Sequence, residues 1–432
     1  MARIRRRVVA AFGLLGALAT RDALAADVRV QAFTGARLFD GTGQTIENAT
    51  LVVENGRITA VGAGVRVPAD AERVDLASRF VMPGLVNAHG HVGGTRGLRS
   101  GPELYSRHNV LDQLRLYARY GVTTVVSLGD DREEGFAVRD EQGTAALDRA
   151  RLYVAGPVVD ATTPEAARAQ VAALAARKPD WVKIRVDDTL GTTPKMPPAV
   201  YRAVIDEAHA RGLRVAAHLF YLEDARGLVA AGVDLVAHSV RDSALDPAFA
   251  AELARRGTCV VPTLTRELSA FAYAEEPAFF SDPFFLKEAD PAVVAELRSP
   301  ERRERARANP ATARYREALR TASRNLEALV DAGASVAFGT DSGPPARFQG
   351  YFEHEELLLM VEAGLTPTQA LVSATSGAAR CLGLKSVGTL EPGAWADFVV
   401  LTADPLADIR NTRSLESAWI AGNRVPPRAT PR

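Results

Sequence analysis

The stretch "RFVMPGLVNAHGHVGG" (residues 79–94) decides how this 432-residue chain is read. An apolar run leads into two histidines, His89 and His91, separated by one glycine. In an extended strand residues i and i+2 face the same side, so both imidazoles are presented to one point. The chain holds only seven histidines. Two of them stand one residue apart at the end of a strand-like run, and Gly90 is expected to leave the opposite side unencumbered.

Working outward, seven further apolar runs follow: GVTTVVSLGD, RLYVAGPVV, DWVKIRVD, GLRVAAHLF, GVDLVAHSV, TCVVPTLT and SVAFGTDSG. They are apolar throughout rather than alternating, as strands of a parallel sheet covered on both faces are. Amphipathic segments such as AVYRAVIDEAHARGL lie between them. Eight strands alternating with helices predict an α/β fold, a (β/α)8 TIM-like barrel. Thr366-Pro367 with Gln369 three residues after the threonine marks a capping-box helix start. Residues 266–315 form an insertion too long for an ordinary loop. Its aromatics, among them Phe271, Tyr273, Phe279, Phe280, Phe284 and Phe285, are expected either to cover a substrate mouth or to pack onto the barrel rim.

Both ends of the chain read as β. Asn55-Gly56 between TLVVE and RITAVG is a hairpin signal, and VGTLEPGAWADFVVLT with LESAWIAGNRV echoes it near the C-terminus. The expected organisation is a signal peptide over 1–25, a small β-sandwich from 26–82 and 388–432, and the barrel over 83–387. The first 25 residues have an arginine-rich head, an apolar run and the triplet Ala-Leu-Ala. That is the layout of a cleaved export signal, and the run falls short of the roughly 20 residues a membrane span needs. A secreted or periplasmic protein without a stable membrane anchor is expected.

Removing five arginines and one aspartate with that segment, from 52 basic and 52 acidic residues, leaves 47 and 51, a net charge of −4. No basic pattern points to nucleic acid. A small-molecule substrate is the expected partner, with homo-oligomerisation left open. Cys259 and Cys381 are the only cysteines; they lack metal-ligand spacing and are expected to be buried small hydrophobes.

His218 and His238 fall near the ends of the fifth and sixth runs, and Asp341 ends the eighth. Lys183 sits inside the fourth among bulky apolar residues, where an unpaired ammonium costs several kcal/mol. These residues gather at the carboxyl ends of barrel strands, where barrel active sites are built. Imidazoles with a carboxylate suit zinc, or manganese, iron or cobalt.

PGLVNAHGHV, the Lys183 strand, AAHLF, VAHSV and FGTDSG, in this order, resemble the amidohydrolase superfamily. LFDGTG and EPGAWADFVVL in the terminal pieces resemble it too, so the likeness spans nearly the whole mature chain. The resemblance implies a centre of two divalent metal ions, zinc first among them. His89, His91 and Asp341 would hold one and His218 and His238 the other, with Lys183 bridging both as a CO2-derived carbamate. It further implies a metal-bridging hydroxide as nucleophile and Asp341 as the proton shuttle. Superfamily deaminases and imidazolone-ring hydrolases with one metal lack this lysine, which argues against them here.

The expected reaction is metal-dependent hydrolysis of a C–N bond, in a dipeptide or an N-acyl amino acid. The alternative is a cyclic amide, urea, lactone or ester at the same centre. Arg185, Arg241 and Arg266 at the barrel mouth are candidates for a substrate carboxylate, as is Tyr221 for a substrate contact. Against the last two arginines stand their acidic neighbours Asp242 and Glu267. His108, His209 and His354 are read as structural or surface residues.

Overall fold

The computed structural model describes residues 29–428; the expected export signal over 1–25 lies outside the described residues. Strands Leu85–Gly90, Val122–Ser127 and Arg151–Val154 form one parallel sheet, and Val182–Val186, Val215–Leu219, Leu235–Val236 and Cys259–Val260 form a second. Isolated parallel bridges Val159–Ile184, Val260–Val336 and Gly90–Ser342 link these sheets to each other and to the eighth apolar run. The order is that of a TIM-like α/β fold, but the hydrogen bonding is not one continuous closed barrel. The ladder breaks where the site lies: register shifts between Asn87 and Gly90, and Asp341 turns into the left-handed region at φ 56°.

Helices cover the outer faces because their apolar residues recur at helical spacing. In Pro198–Ala210, the residues Val200, Tyr201, Val204, Ile205 and Ala208 are buried against the second sheet's core. Each fully buried aliphatic side chain contributes about 1.5–3 kcal/mol. Caps set where these helices begin: Thr163 accepts from the Ala166 N–H and Asp246 from that of Phe249. The Thr366–Gln369 capping box is present as expected.

The terminal β-pieces do join, though as one sheet of eight strands rather than two stacked sheets. Val30–Phe39 is the reason: two register shifts bend this long strand, so that it pairs in parallel with Glu72–Asp75 along one half and with Phe80–Pro83 along the other. The sheet wraps a core of its own in which the Phe33 ring centroid lies 4.9 Å from that of Phe398 and 4.8 Å from that of Trp419. Asn55 and Gly56, at φ 49° and 78°, make the expected hairpin turn. A buried ion pair, Arg151 Nε to Asp397 Oδ2 at 2.5 Å, ties the barrel-like body to this sheet.

The insertion is helical, and its aromatics turn inward. Tyr273, Phe279, Phe280 and Phe285 are buried with Tyr120, Tyr351 and Phe352 in a single cluster, so they pack the rim. The cysteine reading is corrected in one respect. Cys259 and Cys381 are buried, but they form a disulfide across 122 residues with their Cα atoms 5.9 Å apart.

Candidate metal centre

His89 and His91 leave the end of Leu85–Gly90 and meet Asp341 from the eighth run. One ligand atom from each lies within 4.8 Å of the others. The Asp341 Oδ1 atom is 3.0 Å from His91 Nε2 and 3.8 Å from His89 Nε2. Backbone contacts hold these two chain segments together: the His91 N–H donates to Ser342 O, and the Asp341 N–H donates to His89 O at 2.6 Å. Gly343 permits the approach, since a Cβ there would come 2.2 Å from His91 O. Gly90 is not open on its far side as expected; a Cβ would come 2.9 Å from Val125 and 3.0 Å from the Tyr117 hydroxyl.

Lys183, 4% exposed, places its Nζ 3.3 Å from His89 Nε2. His238 lies between both neighbours, with its ring centroid 4.7 Å from that of His89 in a tilted pair and 4.2 Å from that of His218 in an edge-on pair. Lys183, His238 and His218 thus lie in a contiguous chain of contacts with the His89, His91 and Asp341 group. Their other edges are already engaged. His89 Nδ1 lies 2.8 Å from Ala237 O, which makes Nδ1 the protonated nitrogen and leaves the Nε2 lone pair facing inward. His238 Nδ1 lies 2.7 Å from the Thr263 hydroxyl, while its Nε2 is buried without any partner. An orphaned ring nitrogen facing two more histidines fits a bound divalent cation. His218 differs: its Nε2 meets Asp187 Oδ2 at 2.8 Å, so ligation through that atom requires Asp187 to yield.

Burial dominates the electrostatics. It holds His89 and His238 well below the ordinary imidazole value, and like-charged neighbours push the same way. It lowers His218 to about 3, although Asp187 opposes the shift. Burial pulls the Lys183 ammonium down to about 7, against the pull of Asp341. For Asp341 burial favours the acid form, but Arg347, followed by His91 and His89, outweighs it and holds the carboxyl well below its usual range. His89, His218 and His238 are therefore poised as neutral imidazoles and Asp341 as an ionised carboxylate, the protonation states that metal binding needs.

A family profile described as "Amidohydrolase family" matches residues 80–425. The chain belongs to the amidohydrolase family. It is a hydrolase acting on carbon–nitrogen bonds, and its relatives include proteins of the imidazolonepropionase type. The imidazolonepropionase of Streptomyces avermitilis is 28% identical over 397 residues, covering 88% of this chain and 87% of its own. A Bifidobacterium longum protein provisionally assigned as a prolidase superposes with a TM-score of 0.73 at 26% identity, covering 94% of this chain and 97% of its own. A Xaa-Pro dipeptidase structure shares the fold, with a TM-score of 0.72 at 22% identity over 91% of this chain and 99% of its own.

The substrate-contact candidates of this amidohydrolase separate clearly. Arg241 is buried, with Nε 2.9 Å from Glu267 and its guanidinium against the Phe220 ring. It is structural, and Glu267 is its partner; Asp242 instead accepts the Leu222 N–H. Arg266 also meets Glu267, at 2.7 Å, while its Nε stands 4.0 Å from Asp341 Oδ2. Arg185 is half exposed and donates to the Thr189 hydroxyl. The Tyr221 hydroxyl donates to Asp188. His209 pairs with Asp234, His108 with Asp112, and buried His354 with Thr412 and Tyr120.

Four residues of the amidohydrolase site went unremarked in the sequence. Arg347 donates to Asp341 Oδ2 at 2.6 Å, and Asp187 holds His218. Thr263, a β-branched residue at φ 49°, keeps its strained backbone while engaging His238. Glu353, fully buried, accepts on one oxygen from Asn87, Thr340 and Ser342, the neighbours of His89 and Asp341. An acidic residue at the carboxyl end of the fourth run was a usable signal for Asp187. Nothing in "GPPARFQ" marked Arg347.

Proposed function

We propose that this amidohydrolase cleaves an open-chain amide, a dipeptide or an N-acyl amino acid, at a two-metal centre of His89, His91, Lys183, His218, His238 and Asp341. The observation that carries the reading is the Lys183 amine, buried among imidazoles 3.3 Å from His89. Burial favours its neutral form, which is the form that adds to carbon dioxide. Forming the N–C bond with loss of a proton leaves a carbamate anion, and such an anion belongs in a buried site only beside cations. Two divalent ions, zinc first among them, would supply Lewis acidity toward the scissile carbonyl and lower the pKa of a water.

The chain's own groups do the rest. Asp341 Oδ1, on the histidine side of its carboxylate, accepts the proton of the attacking water and returns it to the departing nitrogen. Arg347 on Oδ2 fixes that orientation. Arg185, half exposed on the face of the strand that carries Lys183, and Arg266 beside Asp341 are placed to meet a substrate carboxylate.

The Cys259–Cys381 disulfide supports export, since such bonds persist in oxidising compartments. The signal over 1–25 and the division at 26–82, 83–387 and 388–432 belong to the same proposal. A second reading, a cyclic amide, is favoured by the relatives named imidazolonepropionase.

The test is amine release by zinc-loaded protein across dipeptides, N-acyl amino acids and cyclic amides. Turnover confined to the cyclic amides would replace the first reading with the second. Lys183→Ala should lose metal and turnover, with partial recovery in short carboxylic acids. Full activity in that variant would exclude the carbamate.

A further inference from the structure

Among the proposed ligands His91 is the one that opens outward, with 27% of its side chain exposed. A cavity of about 800 Å3 reaches it, and one wall of that cavity is the turn after the second strand, Gly129, Asp130, Asp131, Arg132 and Glu133. The wall is acidic, and its charges are unequally used. Glu133 pairs with Arg177 at 2.7 Å. Asp130 and Asp131 make no ion pair among the described residues. Arg132, the remaining cation, is exposed at the start of the helix Glu133–Asp140.

Asp131 is 1% exposed; its Oδ2 accepts from the Ala155 and Gly156 N–H groups, while its Oδ1 has no partner. A buried acceptor left unpaired is a standing penalty that a donor would relieve. Asp130 is exposed in the same wall of a cavity that His91 also lines, and it follows Gly129, where a Cβ would lie 3.8 Å from Lys183 Cγ. It is therefore close to the reacting centre as well as open to solvent.

We propose that this wall receives the α-ammonium group of the substrate, with Asp130 as its direct partner and the buried Asp131 carboxyl group behind it. The inference rests on the amide-hydrolase reading and sharpens it. In a peptide the α-nitrogen is separated from the scissile carbonyl by one carbon, so its anchor has to lie beside the proposed metal ligands, as Asp130 does. An ammonium offers three donors and no acceptor, matching the acceptor-only carboxylate of Asp130 in that wall. The substrate class is then peptides with a free amino end, and N-acyl amino acids are disfavoured because their acyl part carries no ammonium on the carbon beside the scissile carbonyl.

Each dipeptide of a panel is compared with its own N-acetyl derivative, using zinc-loaded wild type and Asp130→Asn. Wild type should favour the free amine. In the variant that preference should fall roughly tenfold to hundredfold, the scale of a charge-assisted hydrogen bond, and chiefly through KM. Equal or better cleavage of the N-acetyl forms by wild type, or an unchanged preference in Asp130→Asn, would overturn the inference while leaving amide hydrolysis standing. Calorimetric titration with alaninamide and N-acetylalaninamide decides the matter without turnover. Alaninamide should bind wild type more tightly than its acetylated form and lose that advantage in Asp130→Asn. No binding of alaninamide would refute the ammonium pocket even if cyclic amides prove to be the substrates.

Discussion

Arg347 Nη1 lies 2.6 Å from Asp341 Oδ2, while Oδ1 of the same carboxylate faces His91 at 3.0 Å. One side chain thus has its two oxygens assigned to different tasks. Replacing Arg347 with leucine frees the carboxylate to rotate and leaves the histidines untouched. We expect kcat to fall roughly 10- to 100-fold, the scale of a misplaced catalytic group, with metal content by elemental analysis unchanged. Arg347→Lys should recover part of the loss. Wild-type kcat in Arg347→Leu would show that the contact orients nothing.

Asp341→Asn keeps the shape and removes the basic oxygen. Turnover is expected to drop by about two to four orders of magnitude, as removal of a general acid–base does, while most of the metal stays bound. Stopped-flow assay beside metal analysis checks both halves. Normal turnover would take the proton-shuttle role from Asp341.

The Cys259–Cys381 bridge closes 122 residues at the ends of the strands away from the histidines. Chain-entropy arguments give such a loop about 5 kcal/mol as an upper figure, with 2–4 kcal/mol typical. Cys259→Ser with Cys381→Ser should lower the urea midpoint accordingly and leave kcat/KM at 25 °C close to wild type. A midpoint unmoved by both substitutions would mean the bridge constrains little of the unfolded chain.

Burial lowers His354 to about 4, well away from the proposed metal ligands. The unfolded chain takes up its proton below about 6.5, whereas the folded chain resists until about 4. Stability is therefore lost as pH falls through that window, by roughly 3 kcal/mol in all. His354→Gln should flatten the fall in melting temperature between pH 6.5 and 4, whatever it does to the melting temperature at pH 7. An unchanged slope would assign the acid sensitivity to other groups.

What could be read from the sequence was periodicity and residue type. Apolar runs ending in His89, His91, His218, His238 and Asp341 state their business locally, because a strand sends i and i+2 to one side and a barrel gathers strand ends. Arg347, Thr263 and Glu353 act through loop paths and through a helix reaching beneath the site, and neither leaves a local pattern. The disulfide needed a distance that only the fold closes. The acidic neighbour Asp242 offered Arg241 a salt-bridge partner in the sequence, yet the fold pairs it with Glu267. The expected sandwich became one curled sheet because the bends in Val30–Phe39 follow from bulges, which single-residue propensities do not announce.

The strand Phe80–Pro83 has a further consequence, one of timing. It runs directly into the histidine strand, yet its neighbour on one side is Phe398–Leu401, from the far end of the chain. At about 5–20 residues per second, synthesis separates the two by on the order of 15–60 s. Throughout that interval an apolar edge, Phe80 to Met82, lacks this partner strand just before His89 and His91. Pro83, with no N–H to offer, is the one residue there that discourages a stranger from pairing with it.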